Sequence, residues 1–452
     1  MTRVVIIGGV AAGMSAASQA KRRDSSLEVI ALERGPHVSY GACGMPYNIG
    51  DPARPIHDLV VITPEQFRHT RGIDVRVRHE VLAIDAAGAT LRVRDLEAAR
   101  DDDLPYDRLV IATGATAVRP PVPGLDLAGV FVLRELTDGA ALKDYLERQS
   151  PQRAVIIGAG YVGLEMAEAL VARGLSVTLV ERAAQVAPGL EPVIADLVQE
   201  ELVRHGVQVV LGATVNAVER SVDGLMVRTQ TQVLFADLVL VAVGVRPNVA
   251  LARAAGLTLG ASGAIAVDAA QRTNLPGIYA AGDCAEAHHR VLQAAVYIPL
   301  GTTANKQGKV AGANAAGGEE RFGGIVGTAG FRVFDLEVAR TGIGGSDIER
   351  HGLDVVSSVS RHNNRGRHYP GAARLTTVLF TERASGRLLG AQMAGADGVA
   401  LRVDVYATAL HAGLAVDEIE ALDLAYAPPF APVYDPVLVA ATVARKAVTR
   451  KD

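Results

Sequence analysis

Short apolar bursts with little polar alternation recur along the chain, at RVVIIGG, LEVIALER, LVIATG, RAVIIGAG, LSVTLVER, LVLVAVG and GIYAAGD. A strand that is apolar on both faces must be covered on both, so these bursts predict parallel strands layered between helices. Alanine-rich AAGMSAASQAKRR, between the first two bursts, predicts a helix. Strand, glycine turn, helix and strand form a βαβ unit that ends on Glu33. The pattern then returns: RAVIIGAGYVGLEMAEALVARG followed by LSVTLVER is a second unit, ending on Glu181. Repetition of the whole unit carries more weight than either glycine pattern alone, and it predicts two dinucleotide-binding domains.

In the second unit Gly158, Gly160 and Gly163 stand in full G-x-G-x-x-G register. The first has Gly8, Gly9 and Gly13, with Val10 in the middle position. Such turns bring backbone N–H groups to a pyrophosphate at a helix N-terminus, where the helix dipole favours negative charge. Glu33 and Glu181, at the tips of the second strands, are placed to accept hydrogen bonds from ribose hydroxyls. Glu181 favours NADH by repelling a 2′-phosphate, whereas Arg182 beside it could accommodate one, which leaves NADH and NADPH both open.

Three more segments fit a flavoprotein of this design. LVIATGATAVRPPVPG, at 109 to 124, predicts a strand, a turn at Thr113 and Gly114, and a Pro-rich connector out of the first domain. LVLVAVGVRPN, at 238 to 248, repeats that shape. TNLPGIYAAGDCAE, at 273 to 286, is expected to end a strand on Asp283, with its carboxylate toward a flavin ribityl hydroxyl at the start of the next helix. Cys284 reads as a small, semi-buried residue.

Composition narrows the class. A chain of 452 residues divides into several domains; half its residues are apolar, Gly is abundant and Trp absent, which suits α/β layers. The net charge of −4, with acids and bases interspersed, offers no basic face for nucleic acid and no polybasic run for lipid. Two distant cysteines make neither a disulfide scaffold nor a zinc site, no metal is expected, and a reducing cytoplasm fits best. The apolar start is broken by glycines and followed by KRRDSS, unlike a signal peptide, and no run approaches a membrane span, so a cytoplasmic protein is expected.

The order GGVAAG, ATG, GAGYVGLE, VGVRPN and IYAAGDCAE resembles the flavoprotein disulfide reductases, which bind FAD first and NAD(P)H second. Within them, SYGACGMPYNIG at 39 to 50, YIPLGTTANKQGKVAG at 297 to 312 and YAPPFAPVYDP at 426 to 436 resemble the single-cysteine branch: coenzyme A disulfide reductases, persulfide or polysulfide reductases, NADH oxidases and NADH peroxidases. The resemblance implies two Rossmann-like dinucleotide-binding domains and a C-terminal α/β dimerisation domain. FAD is expected in 1–113 and 247–326, NAD(P)H in 114–246, and dimer contacts in 327–452. It adds Ala12, Arg34 and Val81 to the FAD residues, and Tyr161, Val162, Glu165 and Gly244 to the NAD(P)H residues.

Cys43 is the expected redox centre. A C-x-x-x-x-C partner would fall at Asn48 or Val38, so no internal disulfide forms, and the chain has no HPT-type His-Glu pair. A glycine-flanked loop entering a helix is expected to lower the thiol pKa. The thiolate would attack an external disulfide or polysulfide and hold a mixed disulfide that reduced FAD cleaves. Tyr426 resembles the tyrosine that this branch projects from the partner subunit of a homodimer, a candidate proton donor; its plainer reading is a packing aromatic.

Ser15, Gln19, Arg22, Ser39 and Arg71 match in kind the residues that bind coenzyme A in the reductases of the branch. Arg22 suits either a 3′-phosphate or the helix C-terminus. Ala42 stands where those reductases have Asn, and Tyr434 where some have Lys, which puts selectivity for coenzyme A in question. The first glycine turn lacks the histidine of the branch's oxidases and peroxidases, which favours thiol-based substrates. The alternative is an NADH oxidase or peroxidase cycling Cys43 through sulfenic acid. With few residues after YAPPF, no rhodanese domain is expected, and sulfur would arrive as a diffusible or carrier-bound species.

Overall fold

A computed structural model describes residues 1–449. Its first sheet is wholly parallel, in the order Ile278–Ala280, Arg108–Ile111, Arg3–Ile7, Glu28–Leu32, Asp74–Arg76. The second repeats that plan with Gln208–Val210, Ser176–Val180, Arg153–Ile157, Leu238–Val241 and Val130–Phe131. In both, the strand feeding the glycine turn sits at the centre, so the turn opens at the carboxyl edge of the sheet, where ligands of such folds bind. The apolar bursts are the cause: Val4, Val5, Ile6, Leu238, Val239 and Leu240 are wholly inaccessible, with cover on both faces.

Each parallel sheet carries a three-stranded antiparallel meander, His79–Asp85 with Thr90–Asp95 and Arg100–Pro105 in the first, and Val215–Ser221 with Gly224–Thr229 and Val233–Ala236 in the second. The chain leaves the first unit and returns to it through two crossing strands, Ala115–Ala117 and Val245–Pro247, paired antiparallel. Asn248 seals the crossing: its side chain donates to Thr113 O at 2.9 Å, and its own carbonyl accepts from Thr113 Oγ1 at 2.7 Å.

The third sheet is antiparallel, in the order Ala329–Val333, Leu336–Gly342, Leu388–Gly395, Arg374–Glu382, Val355–Asn363, with the helices Val399–Ala412 and Pro436–Thr449 against it. Carboxylates of the second unit hold its first turn: Glu168 accepts from Phe334 N at 2.7 Å and Glu201 from Asp335 N at 2.9 Å.

One expected element is absent. After Ile278–Ala280 the chain turns at Asp283 without starting a helix, makes the small hairpin Ala287–His289 and Ala294–Val296, and becomes helical only at Gly301–Ala315. That helix packs tightly on Ala11–Arg23: a Cβ on Gly308 would lie 2.3 Å from Ala12 O, and one on Gly312 2.1 Å from Ala16 O. Among the described residues no helix is long and apolar enough to cross a membrane.

Candidate active site

Cys43 sits in a single 3-10 turn, Ala42–Gly44, that leads directly into the short helix Met45–Gly50. The loop before it is tied to the first glycine turn, where Ser39 N donates to Gly9 O at 2.9 Å, and to the next segment, where Gly41 N donates to Leu59 O at 2.8 Å. The positions a second cysteine would take are committed elsewhere. Val38 is fully buried. Asn48 is buried too; its amide donates to Pro55 O at 3.0 Å, and its Oδ1 and carbonyl both accept from Lys143 Nζ at 3.0 Å. Lys143 also donates to Asp51 O at 3.0 Å and to Arg54 O, so one buried ammonium closes the C-terminal end of the cysteine helix. Burial holds its pKa below the ordinary lysine value.

The expected depression of the thiol pKa is not what surrounds Cys43. Packing by the surrounding protein, then the carboxylate of Glu165, pushes it above the ordinary value, with Asp283 adding and Arg134 opposing. The thiol is open to solvent, which weakens both the burial and the charge effects and leaves the upward direction. A helix of two turns has too few aligned dipoles to overcome them. Tyr47 Oη donates to Glu165 Oε1 at 2.9 Å, linking the cysteine helix to Tyr161–Ala172 of the second unit. Burial pushes the Glu165 carboxyl up to about 6. Arg134 Nη2 binds Asp283 Oδ2 at 2.6 Å, and Tyr297 Oη donates to Asp283 O at 3.1 Å. Cys284 is buried and its sulfur faces the carbonyls of Ile111 and Ala281, as a small inert residue would.

Two anion cradles stand at the glycine turns. Neither Ala11–Arg23 nor Tyr161–Ala172 has a side-chain cap or an acid in its first turn, so their leading N–H groups are left to a ligand. A Cβ on Gly160 would meet nothing within 4 Å, an opening that a pyrophosphate can fill. Gly13 and Gly163 act in packing: a Cβ there would lie 1.8 Å from Gly8 O and 2.0 Å from Gly158 O. Glu33 accepts from Gly9 N and Gly35 N, both at 2.7 Å, and Glu181 from Ala159 N and Ala183 N, both at 2.8 Å. Each carboxylate thus braces its own glycine turn and keeps further lone pairs for ribose hydroxyls. These cradles fit FAD and a nicotinamide dinucleotide.

The remaining cofactor candidates spread around this core. Ala12 is buried in the helix after the first turn, Gly114 and Gly244 have φ of +66° and +109°, and Arg34 pairs with Glu135 at 3.1 Å. Val81 is buried in the core beside the first meander, so its side chain is committed to packing. Tyr161 and Val162 are exposed at the second turn, the Tyr161 ring 5.0 Å from that of Phe331 in the third sheet.

Ser15, Arg22, Ser39 and Arg71 line one cavity of about 420 Å³, together with Val10, Ser18, Asn305 and Lys309. Gln19 is not among its walls but accepts from Arg22 Nη1 at 2.9 Å. Arg71 donates to Ser18 Oγ at 2.8 Å, and Ser15 Oγ to Asn305 Oδ1 at 2.7 Å. Three cations, Arg22, Arg71 and Lys309, give this cavity a positive lining whose chemistry suits a polyanion. Ser18 shares the helix face of Ser15 and Arg22 and was within reach of a periodicity argument. Lys309 and Asn305 lie one turn apart in YIPLGTTANKQGKVAG, yet only the close helix contact brings them here. Tyr47 stands within SYGACGMPYNIG, but its partner Glu165 is distant in the chain; Arg134 and Lys143 carry no local motif. Tyr426 is far from Cys43 in sequence and stands exposed on the C-terminal loop, near exposed Phe430, Val433 and Tyr434.

Among the described residues, Glu201, His205 and Asp335 are the one group close enough together to share a metal ion. Arg204 already bridges the two carboxylates at 2.7 and 2.9 Å, so the cluster is an ion-pair latch between the second unit and the third sheet.

The chain matches the family model described as pyridine nucleotide-disulphide oxidoreductase over residues 2–308, and that family's dimerisation domain over residues 328–436. It is 37% identical over 441 residues to an NAD(P)H sulfur oxidoreductase (CoA-dependent) of Pyrococcus abyssi, covering 97% of each chain. It is 34% identical over 451 residues to an NADH oxidase of Methanocaldococcus jannaschii, covering 99% of this chain and 100% of that protein. The structure of an NAD-dependent persulfide reductase from A. fulgidus superposes with a TM-score of 0.95 at 38% identity, covering 98% of this chain and 83% of that one. The chain is therefore a member of the pyridine nucleotide-disulphide oxidoreductase family, dimerisation domain included.

Proposed function

We propose that this protein is a flavin-dependent NAD(P)H oxidoreductase acting on sulfur, which reduces coenzyme A disulfide or related low-molecular-weight disulfides, persulfides or polysulfide. The observation that carries this reading is an open thiol beside two dinucleotide cradles, with both positions for a second cysteine closed by Val38 and Asn48. FAD takes residues 1–113 and 247–326, NAD(P)H takes 114–246, and 327–452, of which 450–452 lie outside the described residues, is the dimerisation domain of a homodimer in a reducing cytoplasm.

Bound FAD would supply two electrons, taken as hydride from NAD(P)H. The chain's own chemistry is at Cys43. Its thiolate attacks one sulfur of the substrate, forming a mixed disulfide and releasing the other half as a thiolate; a two-electron reduction then returns the Cys43 thiolate and frees the second thiol. Arg134 is the nearby cation that favours the thiolate, while Glu165 opposes it. Arg22, Arg71 and Lys309 would bind the phosphates of coenzyme A, and Tyr426 from the partner subunit would protonate the leaving thiolate.

A second reading has a specific support, the 34% identical NADH oxidase, in which Cys43 would cycle through sulfenic acid. One experiment separates the two. NADH consumption is followed with coenzyme A disulfide, polysulfide, O₂ and H₂O₂ in turn, for the wild type and Cys43→Ser. Disulfide-dependent turnover that vanishes in Cys43→Ser is the expected result. Turnover with O₂ alone would shift the assignment to an oxidase.

A further inference from the structure

One buried guanidinium gathers the loops of the third domain. Arg402, on the helix Val399–Ala412, is 9% exposed and binds Asp435, 7% exposed, through Nε at 3.1 and 3.2 Å and Nη2 at 2.9 Å. Nη1 donates to Gly398 O at 3.0 Å, and Nη2 to Asn364 O at 2.8 Å and Phe430 O at 3.3 Å. Three chain segments therefore converge on one side chain: the 364–373 loop that contains HYPG, the turn at 398, and the YAPPFAPVYDP loop.

Each segment is fastened again at its base. Asn364, fully buried, exchanges hydrogen bonds with Ala373, its Oδ1 accepting at 2.8 Å and its N–H donating at 2.9 Å, which closes the first loop. Asp435 Oδ1 accepts from Val437 N at 2.9 Å, which starts the helix Pro436–Thr449. Between these fixed points the second loop turns on Phe430 N to Ala427 O at 2.9 Å and leaves Tyr426 and Phe430 exposed at 55% and 77%. Its interior end is held by hydrogen bonds and its outer face is exposed.

We propose that Arg402, with Asp435, is a positioning residue for sulfur reduction: it joins the 364–373 loop and the YAPPF loop into one rigid unit that sets Tyr426 against the partner subunit's redox site. This rests on the reading of Tyr426 given above. A buried charge pair is a costly way to hold two loops, because either charge alone would be strongly destabilising there. Its return is geometric, since the planar fork fixes several carbonyls at once, which an ammonium on a flexible stem does not.

The test uses the intact holoenzyme dimer. Phe430→Trp supplies the only tryptophan in the chain and reports loop mobility by time-resolved anisotropy. Arg402→Met and Arg402→Lys are made in that background, the second retaining the charge should the first fail to fold. Expected are faster local depolarisation of the indole, an unchanged dimer by light scattering, unchanged NADH–ferricyanide turnover, and disulfide kcat lower by about 10- to 100-fold. Adding Tyr426→Phe to either variant is expected to lower kcat little further. Wild-type anisotropy and kcat in both Arg402 variants, or losses that multiply with that of Tyr426→Phe, would overturn the proposal while leaving the role of Tyr426 intact. A silent Tyr426→Phe would sink the reading of Tyr426 itself, and the proposal with it.

Discussion

The hydroxyl of Tyr47 and the carboxylate of Glu165 meet at 2.9 Å, and through them the short helix that follows Cys43 touches the helix that follows the second glycine turn. The two half-sites are therefore coupled by charge. An ionised Glu165 disfavours the Cys43 thiolate. Replacing Glu165 by Gln removes that charge, so the pH midpoint of Cys43 alkylation by iodoacetamide is expected to move down. A midpoint that stays or rises would contradict the coupling.

The same carboxyl makes stability depend on pH. Its pKa is raised from 4.5 to about 6, so the folded state holds the proton more tightly than the unfolded chain. The associated stability is present below 4.5 and is lost as pH rises through about 6, by about 2 kcal/mol in all. Urea unfolding of Glu165→Gln is expected to show a flatter decline across that window than the wild type.

His289 predicts the opposite slope. It is buried, its Nδ1 accepts from Val291 N and Leu292 N at 3.3 Å, and burial lowers its pKa from 6.5 to about 4. Stability is full above 6.5 and is lost as pH falls through about 4, amounting to about 3 kcal/mol. His289→Gln keeps an acceptor without the titration, so its unfolding midpoint in urea should fall less between pH 6.5 and 4.

The glycine turns give a contrast at matched chemistry. Gly13→Ala would put a methyl 1.8 Å from Gly8 O, which forces helix and turn apart and costs about 1–3 kcal/mol. Loss of flavin, read as the visible-to-ultraviolet absorbance ratio, is expected with a lower melting temperature. Gly160→Ala meets no protein atom within 4 Å, so the fold should be unaffected while the KM for NADH rises.

The cationic cavity separates substrates. Arg22→Ala or Lys309→Ala removes a phosphate contact, and the KM for coenzyme A disulfide should rise about tenfold or more. Polysulfide lacks phosphates, so its KM should be unmoved. Equal effects on both would take the cavity out of substrate binding.

The sequence alone determined the two βαβ units, their order and the lone thiol, because buried parallel strands and glycine turns are written locally, in runs of apolar residues and fixed spacings. It also carried Ser15, Arg22, Ser39 and Arg71 to one place, by resemblance. What it could not contain is what depends on distant segments meeting. The upward direction of the Cys43 pKa is not legible in the loop itself, because the burial that raises it first, and then the charges of Glu165 and Asp283, come from segments that only folding brings around the thiol. Lys143 and Arg134 have no motif around them; their roles exist only where tertiary packing supplies Asn48 and Asp283 as partners. Arg402 is one more arginine on a helix until three chain segments close over it, and only burial turns its charge into a clip.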